Sequence, residues 1–220
     1  MIFVGALTLS GSMFAQKATK ENPFSLEGQM SFNTSTLSFN APSLRMRYFL
    51  ADDLAARVSL TMNNATDKYN HYELANNGGA VGTEVNKSSL TKISLGAEKH
   101  FAGTDKLSPY VGADLMFGMG NTKTTLTNSD GTSYLANFSS ESNAPVSSIG
   151  LNLVAGTDFY FAENFYTGLE LGIGFSSASV KAGETVVTAG STTTTTLTAP
   201  EKHSGLSNNF IGNIRLGWRF

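Results

Sequence analysis

The sequence predicts an all-β fold: an eight-stranded antiparallel up-and-down transmembrane β-barrel, with short turns at one end and long loops at the other. Three observations predict it. Apolar and polar residues alternate along eight segments, as they do in strands whose successive side chains point to opposite faces. Short and long connections also alternate, which gathers the short ones at one end of the sheet. Finally, the last segment sets Phe210, Gly212, Ile214, Leu216, Trp218 and Phe220 on one face, against Ile211, Asn213, Arg215, Gly217 and Arg219 on the other.

At the start of the chain, Ile2, Phe3, Val4, Ala6, Leu7 and Leu9 form a short apolar run, followed by Gly11, Ser12 and Ala15. This reads as a signal peptide over residues 1–15, cut after Ala15, although no Lys or Arg precedes the run and Met13 is large for its place. Residues 16–23 are then a polar lead-in, and 24–220 the barrel.

Phe24, Leu26, Gly28, Met30 and Phe32 alternate with polar neighbours in the first strand. Leu44, Met46 and Tyr48 alternate with Arg45 and Arg47 in the second, and Asp52-Asp53 marks a tight turn. Leu54, Ala56, Val58, Leu60 and Met62 carry the third strand. Asn63 to Ser88 is polar, without sustained period, and reads as a long loop. Thr91, Ile93, Leu95 and Ala97 form the fourth strand, and Gly103-Thr104-Asp105 the next turn. Val111, Ala113, Leu115 and Phe117 give the fifth, before a second long loop from about Gly118 to Val146. The sixth runs through Ile149, Leu151, Leu153, Ala155, Thr157, Phe159 and Phe161 to a turn at Ala162-Glu163-Asn164. The seventh uses Thr167, Leu169, Leu171, Ile173 and Phe175. A third long loop, about Ser176 to Gly205, contains the threonine run 192–196, and the closing strand follows.

Composition narrows the function. A formal net charge of −2 gives no basic field for nucleic acid, and the absence of cysteine excludes disulfides, thiolate metal sites and a cysteine nucleophile. No apolar run approaches the ~20 residues of a spanning helix, but a barrel strand crosses with about 9–11 alternating residues. Mean hydropathy, −0.08, suits either a barrel or a soluble protein. A soluble barrel alternates too, with its apolar face inward. The membrane orientation is favoured because the polar faces use Gly, Ser, Asn and Arg, with Lys92 the only lysine on them. Aromatics near strand ends (Phe24, Phe159, Phe161, Phe175, Trp218, Phe220) suit an interfacial girdle.

The faces assigned inward collect Glu27, Arg45, Arg47, Arg57, Lys92, Glu98, Asp114, Asp158, Glu170, Arg215 and Arg219. An eight-stranded barrel is only wide enough to be filled by side chains, so these charges are expected to pair in a lumenal network. A proton or ion path is the competing reading of the same residues. Neither a metal site nor a cofactor site is expected. The histidines, His71, His100 and His203, are scattered without metal-ligand spacing. His203-Ser204 invites comparison with lipid-hydrolysing barrels, but adjacent residues on a strand face opposite ways, so no catalytic residue is assigned. Tyr69, His71, Tyr72, Tyr134 and Phe138 place aromatics in two long loops, as a binding surface or as packing at the barrel mouth.

The closing strand resembles the terminal strand of bacterial outer-membrane barrels, with Ile214, Leu216, Trp218 and Phe220 as its assembly signal. The Met-Phe-Ala-Gln stretch at 13–16 resembles signal-peptide ends common in Bacteroidota. Strand number, loop asymmetry, exported start and closing strand together resemble small barrels of the OmpA transmembrane-domain/OmpX class. That resemblance implies an integral outer-membrane protein with both termini periplasmic and a structural or surface-interaction role. It implies outer-membrane lipid and the barrel assembly machinery as partners, with loops that contact a further protein or envelope complex. No peptidoglycan-binding domain follows the barrel here, so tethering to the cell wall is not expected. The alternatives are a narrow passive diffusion pore and a lipid-modifying barrel enzyme.

Overall fold

A computed structural model describes residues 22–32, 43–73 and 79–220, with the backbone alone at 31–32 and 203–211. The segment read as a signal peptide, and Asn40 and Pro42 of the first connection, lie outside the described residues.

Ten strands are present among the described residues: β1 (Phe24–Phe32), β2 (Ser43–Ala51), β3 (Leu54–Tyr72), β4 (Val81–His100), β5 (Leu107–Ser129), β6 (Tyr134–Tyr160), β7 (Phe165–Val180), β8 (Gly183–Ala189), β9 (Thr192–Thr198) and β10 (Glu201–Arg219). Eight of them form a closed antiparallel ring in the order β5-β4-β3-β2-β1-β10-β7-β6, with β5 and β6 paired. The closing strand meets the first, from Ser25↔Arg219 to Phe32↔Gly212. The short turns at 52–53, 101–106 and 161–164 gather at the end where Phe24 and Phe220 meet, and Phe220 N–H donates to Phe24 O at 3.0 Å. Closure leaves the ring without edges, so its backbone groups are paired internally, as a lipid environment requires.

Each of the three stretches read as long loops is largely strand. β3 and β4 stay paired from Leu54↔Lys99 up to Tyr72↔Val81, and β5 and β6 up to Ser129↔Tyr134. Within the third stretch, β8 and β9 form a hairpin that adds to the upper part of β6, with Phe138↔Ala189 and Ala189↔Thr192 among its pairs. These ribbons are rich in Thr, Ser and Asn, which occupy both faces. Without one buried face there is no hydrophobic alternation to read, although Thr favours extended backbone. Left-handed backbone at Gly131 (φ 95°) and Gly190 (φ 61°) turns two of the ribbon tips. Tyr69 and Tyr72 stand exposed on the β3–β4 ribbon, away from the barrel mouth.

Inside and outside are inverted relative to a soluble barrel. Outward positions carry Leu26, Leu44, Leu60, Ile93, Leu115, Phe117, Leu153, Ile173 and Leu216, all exposed. Such a continuous apolar belt far exceeds the ~300–600 Å² patches of soluble monomers. At the short-turn end it is rimmed by aromatics: Phe24 stacks on Phe220 (5.9 Å) and touches Tyr48 (4.9 Å), and Trp218 touches Phe220 (5.1 Å). Phe175, the last of the aromatics read near strand ends on the seventh strand, lies away from this rim and pairs with Leu151. The inner face near the short turns packs Phe49, Ala55, Tyr160 and Tyr166. The phenol end of Tyr166 lies over Gly217, where a Cβ would come within 2.0 Å of the ring, and that of Tyr110 lies over Gly156, where a Cβ would come within 2.5 Å of the hydroxyl.

Candidate functional site in the barrel interior

The inward positions of the strands deliver charge to the middle of the barrel. On β2, Arg45 and Arg47 face inward because Leu44, Met46 and Tyr48 take the outward positions, and the same alternation turns Arg57, Glu98, Asp114, Asp158, Glu170 and Arg215 inward. Ten of the eleven charged residues expected on this face are buried, each with at most 4% of its surface exposed.

Nine of those ten form one network. Arg45 grips Glu170 with two hydrogen bonds of 2.9 and 3.1 Å across the barrel. Arg57 is bidentate to Asp114 (2.7 and 2.6 Å) and also donates to Glu98 at 3.0 Å and Glu170 at 2.9 Å. Arg47 and Arg215 share two carboxylates in a closed ring. Arg47 lies 2.7 Å from Glu27 and 2.7 Å from Asp158, while Arg215 reaches them at 3.0 and 2.7 Å. Glu98 links this ring to Arg57 through Arg47 at 2.7 Å. Tyr110 donates its hydroxyl to Glu170 at 2.6 Å. Aromatic faces cover the remaining sides, with Arg47 4.9 Å from the Tyr166 ring centroid and Arg215 5.1 Å from that of Tyr110.

Four guanidinium groups meet five carboxylates, and among the described residues every buried acid has an arginine partner. Fixed charges in a dry interior are tolerated only on such terms, since an unpaired ion there is costly. Arginine suits the task because its planar fork donates in several directions at once. The network also joins walls distant in sequence: Arg45 and Glu170 are 125 residues apart, and Arg215 and Glu27 are 188 apart.

The two other residues behave differently. Arg219 is buried near the short turns and donates to Glu163 O at 3.2 Å. Lys92 lies two rungs above Arg57, opposite Gly118 and half-buried, with no ion pair among the described residues. In the closing strand, Ile214, Leu216, Trp218 and Phe220 all face outward.

One constellation had no signal in the sequence. His100, Ser108 and Glu98 meet inside the barrel, with Ser108 Oγ 2.8 Å from His100 Nδ1 and Glu98 Oε1 3.1 Å from Nε2. A Ser–His–carboxylate line suggests nucleophilic catalysis, but all three side chains are buried and Glu98 is already held by two arginines. The His100 ring packs between Phe49 (5.3 Å) and Tyr110 (5.2 Å), as a satisfied core histidine. His71 approaches Glu84 at 3.5 Å on the ribbon, and the side chains of His203 and Ser204 lie outside the described residues. No group of three or more potential metal ligands occurs among the described residues.

No curated protein matches the chain. Among solved structures, the N-terminal β-barrel domain of Pseudomonas aeruginosa OprF is 20% identical, covering 90% of this chain and 98% of that one, with a TM-score of 0.42. Ail, the attachment invasion locus protein of Yersinia pestis, is 17% identical over 90% of this chain and 97% of its own, with a TM-score of 0.38. The profile of the family described as "Putative OmpA-OmpF-like porin family" matches residues 29–176, which includes six of the eight ring strands in whole or large part. With its closed ring, outward apolar belt and charged interior, the chain is an outer-membrane β-barrel and belongs to the OmpA-OmpF-like porin family.

Proposed function

We propose that this protein is a closed outer-membrane barrel with a structural and surface-interaction role, its lumen blocked by the arginine–carboxylate network and its ribbons presented to the cell exterior. The observation that carries the reading is the cross-barrel bracing of Arg45, Arg47, Arg57 and Arg215 against five buried carboxylates. A hydrated ion crossing that layer must break several short charge-assisted bonds. The short-turn end, where Phe24 and Phe220 meet, faces the periplasm in this reading. The long ribbons then face outward, in the arrangement usual for such barrels. The barrel assembly machinery is the expected folding partner, and a protein or envelope complex is the expected partner of the exposed ribbons. The reading is non-enzymatic, because the buried Ser108–His100–Glu98 line offers a substrate no approach.

Single-channel recording in a planar bilayer tests it. The wild-type protein should insert and carry no steady current, whereas Arg215→Ala should produce small openings. Steady wild-type openings would favour the second reading, a narrow diffusion pore, which the family's designation as porins supports.

A further inference from the structure

We infer that a polar patch on the outer wall, just above the apolar belt, binds the phosphate groups of a glycolipid in the outer leaflet. The inference rests on the membrane orientation proposed above.

Strand register defines the patch. Going up the wall, the outward rungs read Leu60–Ile93–Phe117, then Met62–Thr91–Met119, then Asn64–Ser89–Asn121, then Thr66–Lys87–Lys123. The surface thus changes from wholly apolar to amide, hydroxyl and ammonium groups within three rungs. The last six residues, with Ala65 and Ser88 between them in the chain, line a shallow depression of about 270 Å³. Lys68 stands one rung higher on the same face.

Lys87 and Lys123 face each other across neighbouring strands. Like charges directly opposite in a sheet repel, so the pair calls for an anion. Lys123 has Glu141 at 2.6 Å. Lys87 and Lys68 have no ion pair or hydrogen bond among the described residues. Three ammonium groups therefore meet one carboxylate, lined by Asn and Thr side chains that can donate to phosphate oxygens.

Height selects a lipid as the source of the phosphate. Lys123 lies four residues beyond Met119 on β5. That is roughly 13 Å along the strand at ~3.3 Å per residue, or about 10 Å along the membrane normal for a tilt of ~40°. The polar layer of a leaflet is about 5–8 Å deep. Lysine stems bend toward such a layer by several ångströms, which brings the ammonium groups to headgroup phosphates.

The test is native mass spectrometry of the full chain folded in a non-ionic detergent and titrated with bisphosphorylated lipid A. Wild type should bind it well and bind dephosphorylated lipid A poorly. A Lys87→Gln/Lys123→Gln variant that keeps the wild-type thermal transition should bind about fivefold more weakly for each lysine lost, from the usual worth of a basic residue at an anionic surface. Glu141→Gln, which frees Lys123, should bind more tightly, and Lys99→Gln at the opposite end should not differ from wild type. Unchanged binding by the double variant, or full displacement of the lipid by millimolar inorganic phosphate, would overturn the site while leaving the barrel in the membrane. A protein that stays soluble without detergent and does not enter vesicles would overturn the membrane orientation itself.

Discussion

Replacing Glu170 with glutamine removes one negative charge from the carboxylate that accepts the most hydrogen bonds among the described interior residues. Glu170 accepts two bonds from Arg45, one from Arg57 and one from Tyr110, and only 1% of its surface is exposed. Arg57 keeps Asp114 and Glu98 after the change, but Arg45 loses the only carboxylate it is bonded to among the described residues. Glutamine also turns an amide donor toward groups that are themselves donors. Breaking a buried ion pair by removing one partner costs about 3–5 kcal/mol, and that is the expected loss in a urea titration of the protein folded in phospholipid vesicles. Removing both ends should cost less than the sum, so Arg45→Met/Glu170→Met should show a coupling of about 1–3 kcal/mol against the single variants. Asp53→Asn breaks the exposed pair with Lys99 at a short turn and should barely register. If Glu170→Gln shifted the urea midpoint no more than Asp53→Asn, or the double variant proved additive, the network would not brace the barrel.

Gly217→Ala sets a methyl group against the Tyr166 ring and should destabilise by about 1–3 kcal/mol, an effect that shrinks in a Tyr166→Ala background. A stability series in the same urea assay measures it. Asp130, at the tip between β5 and β6, accepts hydrogen bonds from the backbone N–H groups of Thr132 (2.8 Å) and Ser133 (2.7 Å) and from both hydroxyls. These donors hold its carboxyl well below the usual carboxylate range. A depressed pKa means the tip is stabilised above the unfolded value, ~3.9, and loses that support only as pH falls through the lower folded value. Carboxyl NMR should therefore find Asp130 still ionised at pH 4, and an ordinary midpoint would refute the cage of donors. Cutting the β3–β4 ribbon back to Asn64 and Ser89, joined by Asn-Gly, should leave the ring intact, because its pairing below that level is independent of the tip. The heat-dependent gel shift and far-UV circular dichroism of the shortened chain check this.

The ring strands were legible in the sequence because each has one face in an apolar medium and one in a polar interior. Leu44-Arg45-Met46-Arg47-Tyr48 could hardly be anything else: the period of two, with full contrast at every step, fixes both strand and facing. The contents of the interior were legible for the same reason, down to Glu27, Asp158 and Arg215. The ribbons were not legible, because the described parts of Asn63 to Ser88 and Gly118 to Val146 carry polar residues on both faces and lack that contrast. The threonines of β9 likewise carry a β propensity, but no pattern to say where the strand pairs.

What the sequence by itself determined was therefore local: strand, face and polarity, each a property of neighbouring residues. Only the tertiary structure decided partnership. Arg45 meets Glu170, Arg215 meets Glu27, and Lys92 is left above the network, because ring closure and register set the height and azimuth of every side chain. The meeting of His100 with Ser108 and Glu98, and of Lys87 with Lys123 on the outer wall, has the same origin. Alternation tells a residue which way to point, but the stagger between strands chooses what it points at.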